Sequence, residues 1–216
     1  MCGRYSLSTP GLELAEHFEL DAAPVLAPRY NIAPTQEVPV VAMNGDRQRA
    51  LGMMRWGIAR RSGGRPLINL RSESAREMPS YQRLLERRRC LVVTDGFYEW
   101  KRLPGGEKRP YRVRMPGGRP FALAGIWTRG RHGDRRELQC TVLTTKPGQL
   151  SEIHDRSPVI LYPSSYDQWL DPTEKDREVL RSLLQAYIGD LEVYPVSDRV
   201  NGFQNDDPSL LDPAPT

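Results

Sequence analysis

The chain has 216 residues, 38% of them hydrophobic and 27% charged, a length and composition that suit one well-packed domain and are short for two. The formal net charge is +4, and three cysteines without paired spacing and without a charged-then-apolar leader ahead of them argue against secretion and a disulfide framework. No apolar run approaches ~18 residues and the three histidines are scattered, so the sequence predicts no membrane span, no metal site and no cofactor.

A short amphipathic helix is predicted over residues 8–20. The Ser-Thr-Pro run at 8–10 is typical of a helix start, and Leu12, Ala15 and Phe18 recur on one face. We expect this helix to pack on the domain through that face.

The next part of the chain predicts a loop, two strands and a helix. The Pro- and Ala-rich stretch 21–36 fits neither the helical nor the strand period, so an ordered loop is expected there. Apolar runs at 38–43 and 51–56 predict a pair of strands. The polar, Arg-rich pattern 73–89 predicts a helix, with Pro79 marking a late start or a break.

The second half predicts mostly antiparallel sheet. Apolar or alternating runs between Gly, Pro and charge clusters predict seven strands, at 90–94, 97–101, 110–115, 121–128, 138–145, 158–162 and 191–197. Helices are predicted at 164–170 and 173–187, the second capped by Thr173. The fold class is therefore α+β, a single domain over 1–216 with its core at about 2–201. The Asp- and Pro-rich tail 202–216 is expected to pack loosely or to fold over the surface.

Cys2 is the most informative residue, because removal of Met1 by a methionine aminopeptidase would make it the first residue of the mature chain. Its α-amine and thiol would then form a 1,2-aminothiol, with reference pKa values near ~7.7–8.0 and ~8.5. Such a pair condenses with an aldehyde: the amine forms an imine, and the thiol closes a thiazolidine ring on the same carbon. A cysteine at position 2 also occurs by chance, so this chemistry is a hypothesis that needs other residues.

Polar residues near the start and middle of the chain are candidate partners of Cys2. Arg4 places a positive charge beside the amine, and Asn69 and Arg71, two apart, face the same side of an extended segment. In the plainer interpretation, Asn69 is a turn former and Arg71 is a surface charge beside a helix.

Two further segments carry titratable groups. Glu99 stands between Tyr98 and Trp100 on a predicted strand, where partial desolvation would raise its pKa toward a value useful for proton transfer. His154 and Arg156 alternate just before an apolar strand. In the plainer interpretation, Glu99 faces solvent and His154 is structural.

The order and spacing of nine motifs resemble those of the SRAP family (SOS response-associated peptidases, or abasic-site processing proteins). The resemblance runs from Cys2 to about Asn201, and its motifs are MCGRYS, PRYNIAPTQ, RWG, INLRSESA, CLVVTDGFYEWK, FALAGIWT, VLTTKPG, IHDRSPVIL and VSDRVN. It implies a curled sheet in a pseudo-barrel with peripheral helices, and a role in DNA repair within the SOS response to DNA damage.

The resemblance also implies an activity and a catalytic set. Similar proteins bind single-stranded DNA that holds an abasic site and form a covalent crosslink through the N-terminal cysteine, with weak lyase activity and autoproteolytic loss of Met1. Cys2 matches that nucleophile and Asn69 matches the residue that positions it. Glu99 and His154 match the pair that assists proton transfers.

The DNA-binding residues implied by the resemblance are five. Arg4, Arg71 and Arg156 match arginines that bind phosphates beside the lesion, whereas Asn31 and Pro34 match a loop that touches the bent strand. Because these contacts are to the sugar-phosphate backbone, binding would not depend on the base sequence around the lesion.

One loop departs from the family pattern. Relatives usually follow the WG turn with a proline and tryptophans that stack on DNA, whereas this chain has Arg60, Arg61 and Arg65. We hypothesise that charge replaces some stacking here, which would steepen the fall of DNA affinity with salt.

Two alternatives to crosslinking remain at this stage. A thiol peptidase would use Cys2 activated by His154, together with an oxyanion hole. A passive binding module for single-stranded DNA would use arginines and aromatics without covalent chemistry. In each case the sequence favours a monomeric cytoplasmic protein, associated with the nucleoid when DNA is bound.

Overall fold

The structure, a computed structural model, describes residues 2–60 and 63–214. Within those ranges the strands are β1 (Arg4–Leu7), β2 (Arg29–Ile32), β3 (Glu37–Met43), β4 (Arg49–Trp56), β5 (Asn69–Arg71), β6 (Arg89–Thr94), β7 (Gly96–Arg102), β8 (Lys108–Arg114), β9 (Phe121–His132), β10 (Arg135–Thr145), β11 (Ser157–Pro158), β12 (Ile160–Leu161) and β13 (Glu192–Pro195). The helices are α1 (Gly11–Phe18), α2 (Ser72–Glu77), α3 (Pro79–Arg87), α4 (Tyr166–Leu170) and α5 (Arg177–Leu183).

Five strands close into a small barrel. The order β4-β3-β6-β9-β10 is antiparallel at each step, and β10 returns to pair with β4 in parallel. Every residue of β6 is buried, because one face lines the barrel and helices pack near the other, which is why residues 90–93 of that strand form a continuous apolar run. The predicted α+β class with a curled, mostly antiparallel sheet and peripheral helices is confirmed.

A second sheet of five strands lies beside the barrel and carries the start of the chain. Its order is β13-β8-β7-β1-β2, and every pair in it is antiparallel. β1 is thus an interior strand, held on one edge by β7 and on the other by β2. Short β5 pairs in parallel with β10 and brings Asn69 level with Val142.

The two helices around Pro79 confirm the predicted break. α2 ends at Glu77 and α3 begins at Pro79, where the missing N–H of proline costs nothing. The predicted apolar face of the first helix is wrong in one position: Leu12 is 79% exposed, whereas Leu14 and Phe18 are fully buried.

Two other local predictions are corrected. Residues 21–36 are not all loop, because Arg29–Ile32 forms β2 against β1. The last helix is shorter than predicted and is capped by Asp176 rather than Thr173, since the Asp176 carboxylate accepts the N–H groups of Glu178 and Val179.

The described part of the tail, residues 202–214, folds over the surface, which is one of the two outcomes expected for it. Asp206 accepts the backbone N–H groups of Tyr30 and Asn31, and Leu210 is fully buried beside Tyr98 and Val200. Among the described residues no helix is long and apolar enough to cross a membrane, and no group of His, Cys, Asp and Glu is placed to hold a metal ion.

Candidate active site

Cys2 lies at the entry to β1 and is fully buried. Its carbonyl oxygen accepts a hydrogen bond from Nδ2 of Asn69 at 2.6 Å, and its Sγ donates to the carbonyl of Arg4 at 3.8 Å. Burial, and after it the charge of Glu99, raise the pKa of the Cys2 thiol well above its ordinary value. The sulfur is therefore a protonated thiol at neutral pH. Met1 lies outside the described residues.

Asn69 is placed to hold a second hydrogen bond near Cys2. Its side chain is 9% exposed, and Oδ1 is buried without a hydrogen-bond donor among the described residues. Because a buried amide oxygen without a donor is costly, it is a ready acceptor for a ligand or for an amine N–H. The side chain thus fixes the carbonyl of Cys2 and keeps an acceptor beside it.

A buried carboxylate anchors the strand that carries Cys2. Asp95 accepts from the Ser6 hydroxyl at 2.6 Å, from the Ser8 hydroxyl at 2.8 Å and from the Ser8 backbone N–H at 2.5 Å. Nη2 of Arg112 lies 3.3 Å from the same carboxylate, and both side chains are 3% exposed. Sequence reasoning missed this anchor. The one feature of the sequence that could have indicated this anchor is the Asp-Gly pair that directly follows a buried strand.

Glu99 is buried, contrary to the plainer interpretation of an outward residue. It is 2% exposed on β7, one step past Tyr98, which pairs with Arg4. Burial raises the pKa of Glu99 to about 7. The carboxyl group therefore holds its proton about half of the time at neutral pH and can act as an acid or a base.

His154 follows the turn after β10 and is half-buried. Its Nδ1 accepts the backbone N–H of Arg156 at 3.1 Å and lies 2.7 Å from Oδ1 of Asp155. Burial lowers the pKa of His154, which favours the neutral ring with its proton on Nε2. Protonation of Nδ1 would exchange the N–H partner for the Asp155 carboxylate, so the ring can take or give a proton.

Glu99 and His154 line one cleft, and their role in proton transfer, which the resemblance implies, stays a prediction. The cleft has a volume of about 580 Å³, and polar groups predominate in its lining. Strand β7 and its partner β8 form one wall, while the 151–155 segment forms the other. Of the predicted site residues, the cleft brings these two together, and Cys2 lies close enough to Glu99 for their charges to interact.

Arg4 and Asn31 lie together but are engaged inside the protein. Nη1 of Arg4 donates to Oδ1 of Asn31 at 2.8 Å and to the carbonyl of Val200 at 2.7 Å. Asn31 is 1% exposed, and its Nδ2 donates to the carbonyls of Val200, Gly202 and Asn205. Both side chains hold the 200–205 turn in place. Their contact with DNA remains a prediction.

Arg156 is held by a carboxylate. Its two terminal nitrogens bind the oxygens of Glu73 at 2.9 and 2.8 Å, and Nη2 also donates to the carbonyl of Thr144 at 2.6 Å. This fork lowers the pKa of Glu73 to about 2. Arg71 pairs through its backbone with Thr144 and its side chain is exposed, so the two arginines lie near the same strand end.

The remaining predicted DNA contacts lie apart from the cleft lining. Pro34 is half-buried in the turn after β2. Arg60 and Arg65 are exposed on the connection between β4 and β5, and Arg61 lies outside the described residues. Asn201 had no assigned role, yet its Oδ1 accepts from Nε1 of Trp100 at 2.7 Å and its carbonyl accepts from Arg4.

The arrangement can carry out carbonyl chemistry that is coupled to proton transfer. A protonated thiol, an amide acceptor, a carboxyl group with a pKa near neutrality and a neutral imidazole lie on neighbouring elements. No described group would hold the thiol as a thiolate.

Comparison with known proteins agrees with the sequence and the fold. A family model described as SOS response associated peptidase (SRAP) matches residues 1–203. The chain is 38% identical to the abasic site processing protein YoqW of Bacillus subtilis, covering 98% of this chain and 99% of the relative. It is 29% identical to the abasic site processing protein YedK of Escherichia coli, covering 99% and 100%. A crystal structure of a protein from Bacteroides thetaiotaomicron shares the fold, with a TM-score of 0.80 at 20% identity and coverage of 99% and 100%.

Proposed function

The chain belongs to the SOS response associated peptidase (SRAP) family, and from this membership we propose that it processes abasic sites in single-stranded DNA by forming a covalent crosslink through Cys2. Its relatives are named abasic site processing proteins. The observation that supports the proposal most is the grouping of Cys2 and Asn69, in direct contact, with a buried Glu99 whose pKa is about 7.

The protonation of the groups suggests the order of bond formation. After removal of Met1, the free amine of Cys2 adds to C1′ of the ring-opened sugar, since the thiol is protonated and is the weaker nucleophile. The adduct loses water to give an imine. The thiol then adds to the same carbon and its proton passes to nitrogen, so the product is a thiazolidine and one water molecule is released.

Glu99 and His154 would move the protons that these steps require. Loss of water needs an acid at the leaving oxygen, and Glu99 is protonated often enough to supply it. A neutral His154 would assist opening of the sugar ring, because it accepts at one nitrogen and donates at the other. Carrying the proton in the opposite direction, Glu99 would reverse the crosslink. Removing a C2′ proton from the imine would expel the 3′ phosphate, which is the weak lyase activity.

Asn69 would align the reacting amine. Its Nδ2 donates to the Cys2 carbonyl, and its buried Oδ1 is proposed to accept an N–H of the free amine. Arg4, Arg71, Arg156, Asn31 and Pro34 are proposed to surround the strand, with Arg4 and Arg156 supplying positive potential while they stay bound to the protein. Monomeric action at the nucleoid belongs to the same proposal.

The peptidase alternative has less support from the site. A cysteine peptidase needs a thiolate next to an imidazole, whereas burial raises the pKa of the Cys2 thiol and its Sγ donates to a carbonyl. Under this alternative, the smallest hydrolytic activity would be cleavage by the protein of its own peptide bond between Met1 and Cys2.

An oligonucleotide with one abasic site tests the proposal. We expect a heat-stable shifted band with the mature protein and none with Cys2→Ala or with a form that retains Met1. Cys140→Ala is the matched control, because that buried thiol lies in the barrel. Unchanged crosslinking by Cys2→Ala would overturn the proposal. Peptide turnover without crosslinking would favour the peptidase, and non-covalent binding alone would favour the passive module.

A further inference from the structure

The hairpin formed by β7 and β8 places like charges opposite each other. In its register Lys101 pairs with Arg109 and Arg102 pairs with Lys108. Side chains directly opposite on antiparallel strands lie about 4.5–5.5 Å apart at Cβ, and like charges there destabilise the sheet. Because successive pairs lie on opposite faces of the hairpin, an anion bound between Arg102 and Lys108 would remove the local cost of that pair.

Two of these four cations face the cleft that holds Glu99 and His154. Arg102 and Lys108 are part of its lining, and both are exposed. Among the described residues no carboxylate lies within ion-pair distance of either side chain, whereas Lys101 lies 4.0 Å from Glu152. The cleft therefore has a cationic wall, defined as Arg102 and Lys108, beside its titratable groups.

Two of the three arginines expected from the family to bind phosphate, Arg4 and Arg156, are less available than this wall, whereas the side chain of Arg71 is exposed. Both terminal nitrogens of Arg156 bind Glu73, and Arg4 is bound to Asn31 and to backbone carbonyls. A phosphate competing for either guanidinium would have to displace an existing hydrogen bond. Arg102 and Lys108 carry no such cost.

We propose that the cationic wall is a phosphate subsite that binds a phosphodiester of the strand flanking the abasic sugar. This inference rests on the proposed function and adds a binding site to it. Arg102 lies three residues beyond Glu99 on β7, about 10 Å at ~3.4 Å per residue, which a strand spans within a few nucleotides. The wall would position the strand and would read no bases.

The test measures affinity without crosslinking. The probe is a fluorescent single strand with a tetrahydrofuran abasic analogue, which has no aldehyde. For Arg102→Gln with Lys108→Gln we expect the dissociation constant to rise about tenfold. The slope of log affinity against log salt should become shallower by about 0.7 for each phosphate that the protein no longer neutralises. The swap Arg102→Lys with Lys108→Arg should retain most of the affinity.

A charge-matched control lies on another hairpin. Arg129→Gln with Arg136→Gln makes the same change in net charge, and Arg136 lies six residues along β10 from the partner of Asn69, roughly 20 Å away. This variant should bind as the unmodified protein does. An equal loss in both double variants would show a general effect of charge and would overturn the subsite.

Shortened strands locate the contact. Two shortened strands are used, one that ends at the abasic analogue on its 5′ side and one that ends there on its 3′ side. For one of the two, the unmodified protein and the Arg102→Gln, Lys108→Gln variant should bind with equal affinity, because the phosphodiester that contacts the wall is missing. An unchanged difference with both truncated strands would overturn the inference. Crosslinking at saturating natural abasic DNA is measured in parallel: no crosslink by the unmodified protein would refute the proposed function, whereas crosslinking with equal affinities would refute the subsite alone.

Discussion

Replacing Glu99 with glutamine is expected to stabilise the folded protein at neutral and alkaline pH but not in acid. The carboxyl group is 2% exposed, and burial raises its pKa from an ordinary 4.5 to about 7. A raised pKa in the folded state means that folding favours the protonated form. The contribution of that proton to stability is complete below about pH 4.5 and is lost as the pH rises through about 7.

The size of the effect follows from the two pKa values. Each pH unit between 4.5 and about 7 corresponds to about 1.4 kcal/mol, so ionised Glu99 lowers the free energy of unfolding by about 3 kcal/mol at pH 8. Glutamine has nearly the same shape and carries no charge at any pH. Glu99→Gln should therefore recover most of this loss at pH 8 and change little at pH 4.5.

Urea denaturation of both proteins at pH 4.5, 6 and 8 measures the difference. Glu152→Gln is the matched control, because that carboxylate lines the same cleft but is 87% exposed, and its substitution should leave the pH dependence unchanged. A Glu99→Gln variant that is no more stable than the unmodified protein at pH 8 would show that burial does not hold this pKa near 7.

Three further outcomes are expected. The rate of crosslinking should have a bell-shaped pH profile with its maximum near ~pH 7.4, because the amine must lose its proton (pKa ~7.7–8.0) while Glu99 (pKa about 7) must keep its own. The Glu99→Gln variant should lose the fall in rate at alkaline pH. If that fall persists in the variant, another group causes it. Arg89→Met should lower the free energy of unfolding, measured by urea denaturation, by about 3 kcal/mol, because the buried guanidinium donates to backbone carbonyls of α3 and α4. Arg87→Met, at an exposed position, should lower it by less than about 0.5 kcal/mol. Equal losses in the two variants would refute this role of Arg89. Asp95→Asn should cost about 3–5 kcal/mol by leaving Arg112 unpaired, and a milder loss would show that water compensates the ion.

Regular elements were predictable wherever the local pattern decided the structure. The apolar runs of β6 and β9 and the break at Pro79 depend on residues next to each other in the chain. Strand β2 was missed because its pairing with β1 joins segments about 25 residues apart and its sequence has no alternation. Leu12 was misplaced because a short helix offers two apolar faces, and tertiary packing selected the one with Leu14.

The candidate site was identified only in part from the sequence. Motif order indicated Cys2, Asn69, Glu99 and His154, but the burial of Glu99 depends on segments distant in the chain, such as residues 151–155 across the cleft, and cannot be read along one strand. The partners of Arg156 and Asn31 are likewise long-range: Glu73 is 83 residues from Arg156, and the turn that Asn31 holds is some 170 residues away. Residue identity therefore indicated the chemistry, whereas the contacts decided which charges are engaged.

Because β1 is an interior strand, the start of the chain becomes enclosed only after its later partner strand has been synthesised. β1 is synthesised before its partner β7, which follows about 90 residues later, and at ~5–20 residues per second this is a delay of roughly 5–20 s. During that delay the residues next to β1 lack the cover that β7 provides and are accessible to processing enzymes. Once β7 arrives, Cys2 is enclosed beside Glu99. Removal of Met1, which the proposed function requires, would therefore have its easiest access before β7 is complete, and slower translation of the segment between β1 and β7 would lengthen that time.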